Sequence, residues 1–305
     1  MSDQTILAIE GGGSGYRAAK VTGKQIELIG GLSATEIAPD SVPAFINDCA
    51  GRIGAQAVGV STSGFVTPDG AIEHSTNIGL PDNYRLAALT AAKTGLPTKV
   101  VNDLVAATRG ISVIFPLLPR FLVENLGDGD GQNEFDQGRI KPIDERGHMP
   151  VDISPLALPC ACGLYGCAES ILGGRSLERR VNLTIDALRL NKPENLHACA
   201  FLDQEYRAGA DWAVRIYDQF AFALGFKLSG MQLGGKFPAI VFRGTTIIKA
   251  LSLNGMEEKI RNAMRRFLPV KSWADAEFLA VPPDPRGIKD YDGFLGAAAF
   301  ARDLL

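Results

Sequence analysis

No block of lysines and arginines occurs in this chain, and 31 basic residues stand against 34 acidic ones for a formal net charge of −3. The electrostatic footprint of a nucleic-acid binder or a membrane-surface protein is therefore missing. Long apolar runs are missing too: Ile111–Leu118 and Phe294–Ala301 are too short or too interrupted to span a bilayer. The N-terminus shows no secretory pattern, and the five cysteines are an odd number. Both observations set a disulfide framework aside in favour of a reducing compartment, and cytoplasmic residence is the expectation. What the chain does have is bulk. Its 305 residues, 46% of them hydrophobic, suffice for sizeable cores and two domains.

The few cysteines are unevenly spread. Cys160, Cys162 and Cys167 fall within eight residues, twelve positions after His148, whereas Cys49 and Cys199 lie in helical contexts that suit core thiols. Three thiolates and an imidazole are the ligand set of a four-coordinate structural Zn²⁺, and the glycines of Cys162-Gly163-Leu164-Tyr165-Gly166-Cys167 allow a tight wrap. With all four positions filled by protein, the metal would clamp a loop and not act as a Lewis acid. The competing reading is three ordinary buried thiols beside a satisfied histidine, and the clustering weighs against it.

Alternating apolar segments predict strands over Thr5–Ile9, Tyr16–Val21 and Gln25–Ile29, an antiparallel meander broken by glycine turns. A helix over Val42–Ile53, a strand over Ala57–Ser61, a helix over Tyr84–Thr94, a strand over Thr98–Val101 and a helix after Asp103 follow. The pattern then restarts with a strand over Phe121–Leu126, the loop Gly127-Asp128-Gly129-Asp130-Gly131 and a strand over 134–140. Helices over Ser170–Leu190 and Asp211–Leu228, strands over Ala239–Phe242 and Glu277–Val281, and a helix over Gly293–Asp303 complete it. Two similar halves, each opening strand, glycine turn, strand, predict a duplicated α/β fold. The expected domains are 1–115 together with the helix 291–305, and 116–290 carrying a zinc-binding insert at 145–169.

The segment Glu145-Arg146-Gly147-His148, followed by Cys160-Ala161-Cys162-Gly163-Leu164-Tyr165-Gly166-Cys167-Ala168-Glu169, resembles the signature of the ROK family of sugar kinases, which includes glucokinases and N-acetylhexosamine kinases. The remaining motifs fall in the family's order: Glu10–Ser14, Ser63-Gly64 with Asn77, Asn102-Asp103, Gly127–Gly131, Phe242–Thr245 and Gly293–Ala298. The resemblance covers almost the whole chain. It implies two ribonuclease-H-like domains of the actin-like ATPase type with a cleft between them and a zinc-binding loop in the second. It also implies an ATP-dependent sugar kinase acting on a hydroxyl of a hexose or N-acylhexosamine, with Mg²⁺ accompanying ATP, and a homodimer.

Residue by residue, the resemblance makes Asp103 the base that accepts the proton of the attacking hydroxyl. Its plainer reading is an N-cap for the helix from Leu104. Asn102, Glu145, His148 and Glu169 match the sugar-hydroxyl ligands, with Gly64 and Asn77 adding contacts. One ring nitrogen of His148 would bind the metal and leave the other for substrate. For Glu145 and Glu169 the alternative is a solvated charge. Gly12, Gly13 and Ser14, then Gly127, Asp128, Gly129 and Gly244, fall where the family binds nucleotide, since a glycine turn presents N–H groups to phosphate.

The nucleotide side departs from the family pattern. Glu10 and Ser14 replace Asp and Thr, Asp128 replaces Thr, Asp130 replaces an apolar residue, and Arg243 replaces a glycine. Carboxylates beside a triphosphate repel it by about 1 kcal/mol at 4 Å in water and more in a shielded site, unless a metal ion bridges them. A second function follows: a non-catalytic sugar-binding or sensor protein with an impaired nucleotide site. A transcriptional repressor of the family is disfavoured, because those members carry an added N-terminal DNA-binding domain and the first strand here is expected at Thr5.

Overall fold

Residues 4–75, 78–141 and 145–305 are described by a computed structural model. Three antiparallel strands open the chain, β1 (Thr5–Gly12), β2 (Gly15–Thr22) and β3 (Gln25–Ser33), and α1 (Ser41–Ile53) leads into β4 (Ala57–Thr62). A small hairpin of β5 (Phe65–Val66) and β6 (Ile72–His74) precedes α2 (Leu86–Thr94), β7 (Thr98–Asn102) and α3 (Asp103–Ile114). The first sheet runs β3-β2-β1-β4-β7, with β4 parallel to both β1 and β7. Position decides burial. The central strand β4 is buried at every residue, whereas the edge strand β3 is largely exposed.

The second half holds β8 (Arg120–Leu126), β9 (Asp130–Asp136), β10 (Arg139–Ile140), α4 (Ala168–Leu172), α5 (Gly174–Leu188), α6 (Ala198–Arg207) and α7 (Asp211–Gly235). Then come β11 (Ala239–Arg243), α8 (Thr245–Leu251), α9 (Met256–Phe267), β12 (Glu277–Ala280) and α10 (Tyr291–Arg302). The second sheet runs β10-β9-β8-β11-β12, the order of the first sheet repeated with β11 parallel to β8 and β12. The duplication expected from the glycine turns is thus present in the strand order of both sheets.

By contacts the chain divides into two compact units, one of Met1–Pro119, Asn133–Ile143 and Pro282–Leu305, the other of Arg120–Gln132 and Asp144–Val281. Relative to the expected limits, this division gives 116–119, 133–143 and 282–290 to the first unit. In that unit Leu7, Ile9, Val58 and Val60 pack toward α1 and α2, while Ile6, Ala8 and Ala57 pack toward α10. The alternation along β1 builds both faces of the sheet. Helices α3 and α10 approach so closely that a Cβ at Gly296 would overlap the Ala106 carbonyl, and one at Gly110 would overlap that of Asp292.

Three expectations need correction. The predicted helix Ser170–Leu190 is two helices, broken at Gly173, where the backbone is extended. The break lets the carbonyls of Gly127 and Asp128 accept from the N–H groups of Gly174 and Arg175 at 2.9 and 3.1 Å, which satisfies the first turn of α5. The predicted strand 134–140 is β9 and β10, turned at Gln137-Gly138, both at positive φ. Helix α6 was not anticipated.

Candidate functional site

Residues 148–167 form a closed hairpin in the second unit. Cys160 N–H donates to Leu164 O at 2.8 Å, Val151 N–H to Gly166 O at 2.8 Å, and Ala168 N–H to Met149 O at 2.9 Å. These bonds bring the ligand atoms of His148, Cys160, Cys162 and Cys167 within 4.8 Å of one another. His148 Nδ1 lies 3.5 Å from Cys160 Sγ, and Cys162 Sγ lies 3.7 Å from Cys167 Sγ. A tetrahedral Zn²⁺ with bonds near 2.3 Å sets its ligands about 3.8 Å apart, so both the donor set and the spacing are compatible with that ion. Burial and the neighbouring thiols push Cys167 up to about 12. Three thiols this close need a cation to ionise together.

Glu169 stands in the first turn of α4, beside the knot, with Oε1 3.9 Å from Cys160 Sγ. Its Oε2 accepts from the Asp130 N–H at 3.1 Å, which ties the glycine loop to the cysteine segment. Glu145 precedes the 3₁₀ turn Arg146–His148 in a left-handed conformation and is exposed. Gly147, in that turn, packs directly on Asp130, and a Cβ there would strike the Asp130 carbonyl. The glycine of the Glu145–His148 motif is required by this close approach.

The side chain of Asp130 does not meet solvent, contrary to the expectation that it would face phosphate or a bridging metal. It is fully buried and paired with the ammonium of Lys227, which also donates to Glu124 Oε1 at 2.9 Å. Gln132 completes the cluster through a short contact with Glu124 Oε2. Glu124 alternates with Leu122 and Leu126 on the helix-covered face of β8, and Lys227 falls on the buried stripe Phe220, Leu224, Lys227, Met231 of α7. Burial, offset in part by Lys227 and reinforced by Asp130, pushes the Glu124 carboxyl up to about 7. Burial opposes the charge on Lys227, but the two carboxylates outweigh it and raise its affinity for the proton.

The rest of the second glycine loop is open. Asp128 is exposed and bridges to the equally exposed Arg175 at 3.2 Å, a screened pair of little energetic weight. Gly127 O accepts from Gly174 N–H and from Thr246 Oγ1, both at 2.9 Å, while Gly129 lies against Glu169 Oε2. Gly244 caps α8 at φ +93°, and Arg243 donates to Asn125 Oδ1 at 3.2 Å. The structure thus brings Gly127, Asp128, Gly129 and Gly244 together at the N-termini of α5 and α8.

In the first unit, Gly13 and Ser14 are the exposed turn of the β1–β2 hairpin, with Gly12 at its edge. Glu10 pairs across that hairpin with Arg17 at 2.5 Å, and Arg17 also reaches Asp290 at 3.1 Å. Asn102 ends β7 and caps α3, its Oδ1 accepting from Leu104 N–H at 2.8 Å and Val105 N–H at 3.3 Å. Its Nδ2 donates to Gly64 O at 3.0 Å, joining two of the expected sugar contacts. The capping role weighed for Asp103 therefore belongs to Asn102, and Asp103 is the first helical residue, with Oδ1 accepting from Leu104 N–H at 2.9 Å. Asn77 lies outside the described residues.

Comparison with known proteins decides the family, because the profile of the ROK family matches residues 130–304. The chain belongs to the ROK family. N-acetylmannosamine kinase of Vibrio cholerae is 31% identical over 135 residues, 42% of this chain and 46% of that kinase. The chain thus spans less than half the length of the curated relatives it matches. The ROK hexokinase of Thermus thermophilus superposes with a TM-score of 0.79 at 22% identity over 99% of both chains. A ROK family glucokinase from Streptomyces griseus, solved with glucose and AMPPNP, gives 0.74 at 22% identity over 98% of this chain and 99% of its own. These likenesses show that the chain shares the fold of these ROK proteins, with its two α/β halves.

Within this ROK frame, sequence reasoning passed over Lys227, Glu124 and Arg17. A signal existed for each. Lys227 and Glu124 are single charges inside otherwise buried helical and strand patterns, and Arg17 stands directly opposite Glu10 across a two-residue turn.

Proposed function

We propose that the protein is an ATP-dependent sugar kinase that transfers the γ-phosphoryl group to a hydroxyl of a hexose or N-acylhexosamine. The observation that carries this reading is the gathering of His148, Cys160, Cys162 and Cys167 beside Glu169, compatible with a metal-held hydroxyl-binding segment, in a ROK fold that also retains Asn102-Asp103 at the end of β7. Zn²⁺ held by these four residues would serve as a structural clamp, and Mg²⁺ bound with ATP would neutralise its phosphates. Asp103 accepts the proton of the attacking hydroxyl. It is the first residue of α3, at the helix N-terminus. Glu145 and Glu169 grip sugar hydroxyls as bidentate acceptors, and His148, with Nδ1 turned to the cysteines, donates from Nε2.

Asp130 supports the reading. Its withdrawal into the core removes one of the two carboxylates that would oppose a triphosphate, and leaves the solvent-exposed Asp128 as the other. Cytoplasmic residence and a homodimer belong to the same proposal. An ADP-release assay across hexoses and N-acylhexosamines tests it, with turnover of one sugar class expected and no turnover of any overturning it. The second reading, a sugar sensor without nucleotide chemistry, rests on Arg17 engaging Glu10. Calorimetry showing sugar binding without ATP binding selects it.

A further inference from the structure

We propose that Lys227 and Glu124 are positioning residues, a buried charge cluster that fixes the second glycine loop to the Glu145–Glu169 segment so that the two ligand-bearing stretches of this unit are held as one body. The inference rests on the kinase reading for its functional consequence, but not for its structural content.

Asp130 is the joint. Its N–H donates to Glu169, its carbonyl packs on Gly147, and its carboxylate is held by Lys227 from α7. Three separate stretches of chain therefore converge on one residue directly after Gly127-Asp128-Gly129. The other end of the loop is tied elsewhere, Gly127 to α5 and α8 and Asp128 to α5.

The charge count shows that packing alone does not account for the cluster. Lys227, Glu124 and Asp130 have side chains at 0% exposure, so a single cation faces two carboxylates where water cannot help. A proton on Glu124 balances it. Gln132 fits that state: as placed, its Nε2 meets Glu124 Oε2 while its buried Oε1 lacks a partner. A half-turn of the amide lets protonated Glu124 donate to Gln132 Oε1. Lys227 is then left to bond Asp130. Apolar residues of similar volume would stabilise the core as well or better. What they would not supply is a directed bond that sets where Asp130, and hence the loop, must sit.

The test compares wild type with Lys227→Met and with the triple variant Lys227→Met, Glu124→Leu, Asp130→Val, which fills the same space without charge. Amide exchange reads the loop without any ligand, and calorimetry reads Mg·ATP. Expected for the triple variant are a Tm at or above wild type, exchange about tenfold faster at 127–131 and 145–148 alone, and a Kd for Mg·ATP weakened by about tenfold. Exchange and Kd within about twofold of wild type overturn the proposal. Failure of the triple variant to fold also overturns it, since the cluster would then serve stability and not position. Wild type that neither binds nor turns over ATP sinks the kinase reading alone, because the exchange pattern still decides the rest.

Discussion

Asn102 holds Gly64 through a 3.0 Å hydrogen bond from its side-chain Nδ2, while its Oδ1 caps α3. One amide therefore sets both the start of the helix that carries Asp103 and the loop after β4. Asn102→Ala should cost about 1–2 kcal/mol of stability through the lost cap, measured by urea denaturation. Asn102→Asp should recover the cap but not the bond to Gly64. Equal stability of all three proteins would show that the cap carries no weight.

Asp103→Asn should abolish turnover while leaving sugar affinity within about tenfold, because it removes a base and keeps a hydrogen-bonding group. Single-turnover kinetics and sugar titration by calorimetry separate the two. Loss of sugar binding with retained turnover at saturation would assign Asp103 to recognition.

Cys162→Ser should lower zinc content and sugar affinity together, since Cys162 faces Cys167 at 3.7 Å in the four-residue knot next to Glu169. Elemental analysis and calorimetry on the same preparation check it. Full zinc occupancy in this variant would remove Cys162 from the ligand set.

Glu124 predicts a pH dependence. Burial holds its carboxyl up to about 7 against an ordinary value of 4.5. The folded protein keeps a proton that the unfolded chain releases above its own lower value. The contribution to stability is whole below pH 4.5 and is lost as pH rises through about 7, on the order of 3 kcal/mol over the window. Urea midpoints of wild type should fall relative to Glu124→Gln as pH rises from 4.5 to about 7, and level off above that. Parallel curves for the two proteins would refute the assignment.

Much of the fold could be read from local pattern. The β1–β3 meander, α1, β4, β7 and β11 lie within a few residues of their expected limits, because glycine turns and alternation are properties of adjacent residues. The knot was legible for the same reason, as His148 and the three cysteines share one hairpin and lie close in sequence. The break at Gly173 was not, since it answers to carbonyls of Gly127 and Asp128 some forty-six positions away. The expectation that Asp130 faces phosphate or a bridging metal fails for the same cause, its partner Lys227 lying ninety-seven residues along the chain.

By itself, then, the amino-acid sequence determined the α/β alternation, the repeated strand–turn–strand openings, the close spacing of one histidine and three cysteines, and the ROK resemblance. Each of these is carried by spacing along the chain. Only tertiary structure decided that Asn102 and not Asp103 caps α3, that Arg17 engages Glu10, and that Asp130 turns inward to Lys227 and Glu124. Hydrogen bonds and ion pairs depend on direction and on exclusion of water, and neither is set until distant segments pack.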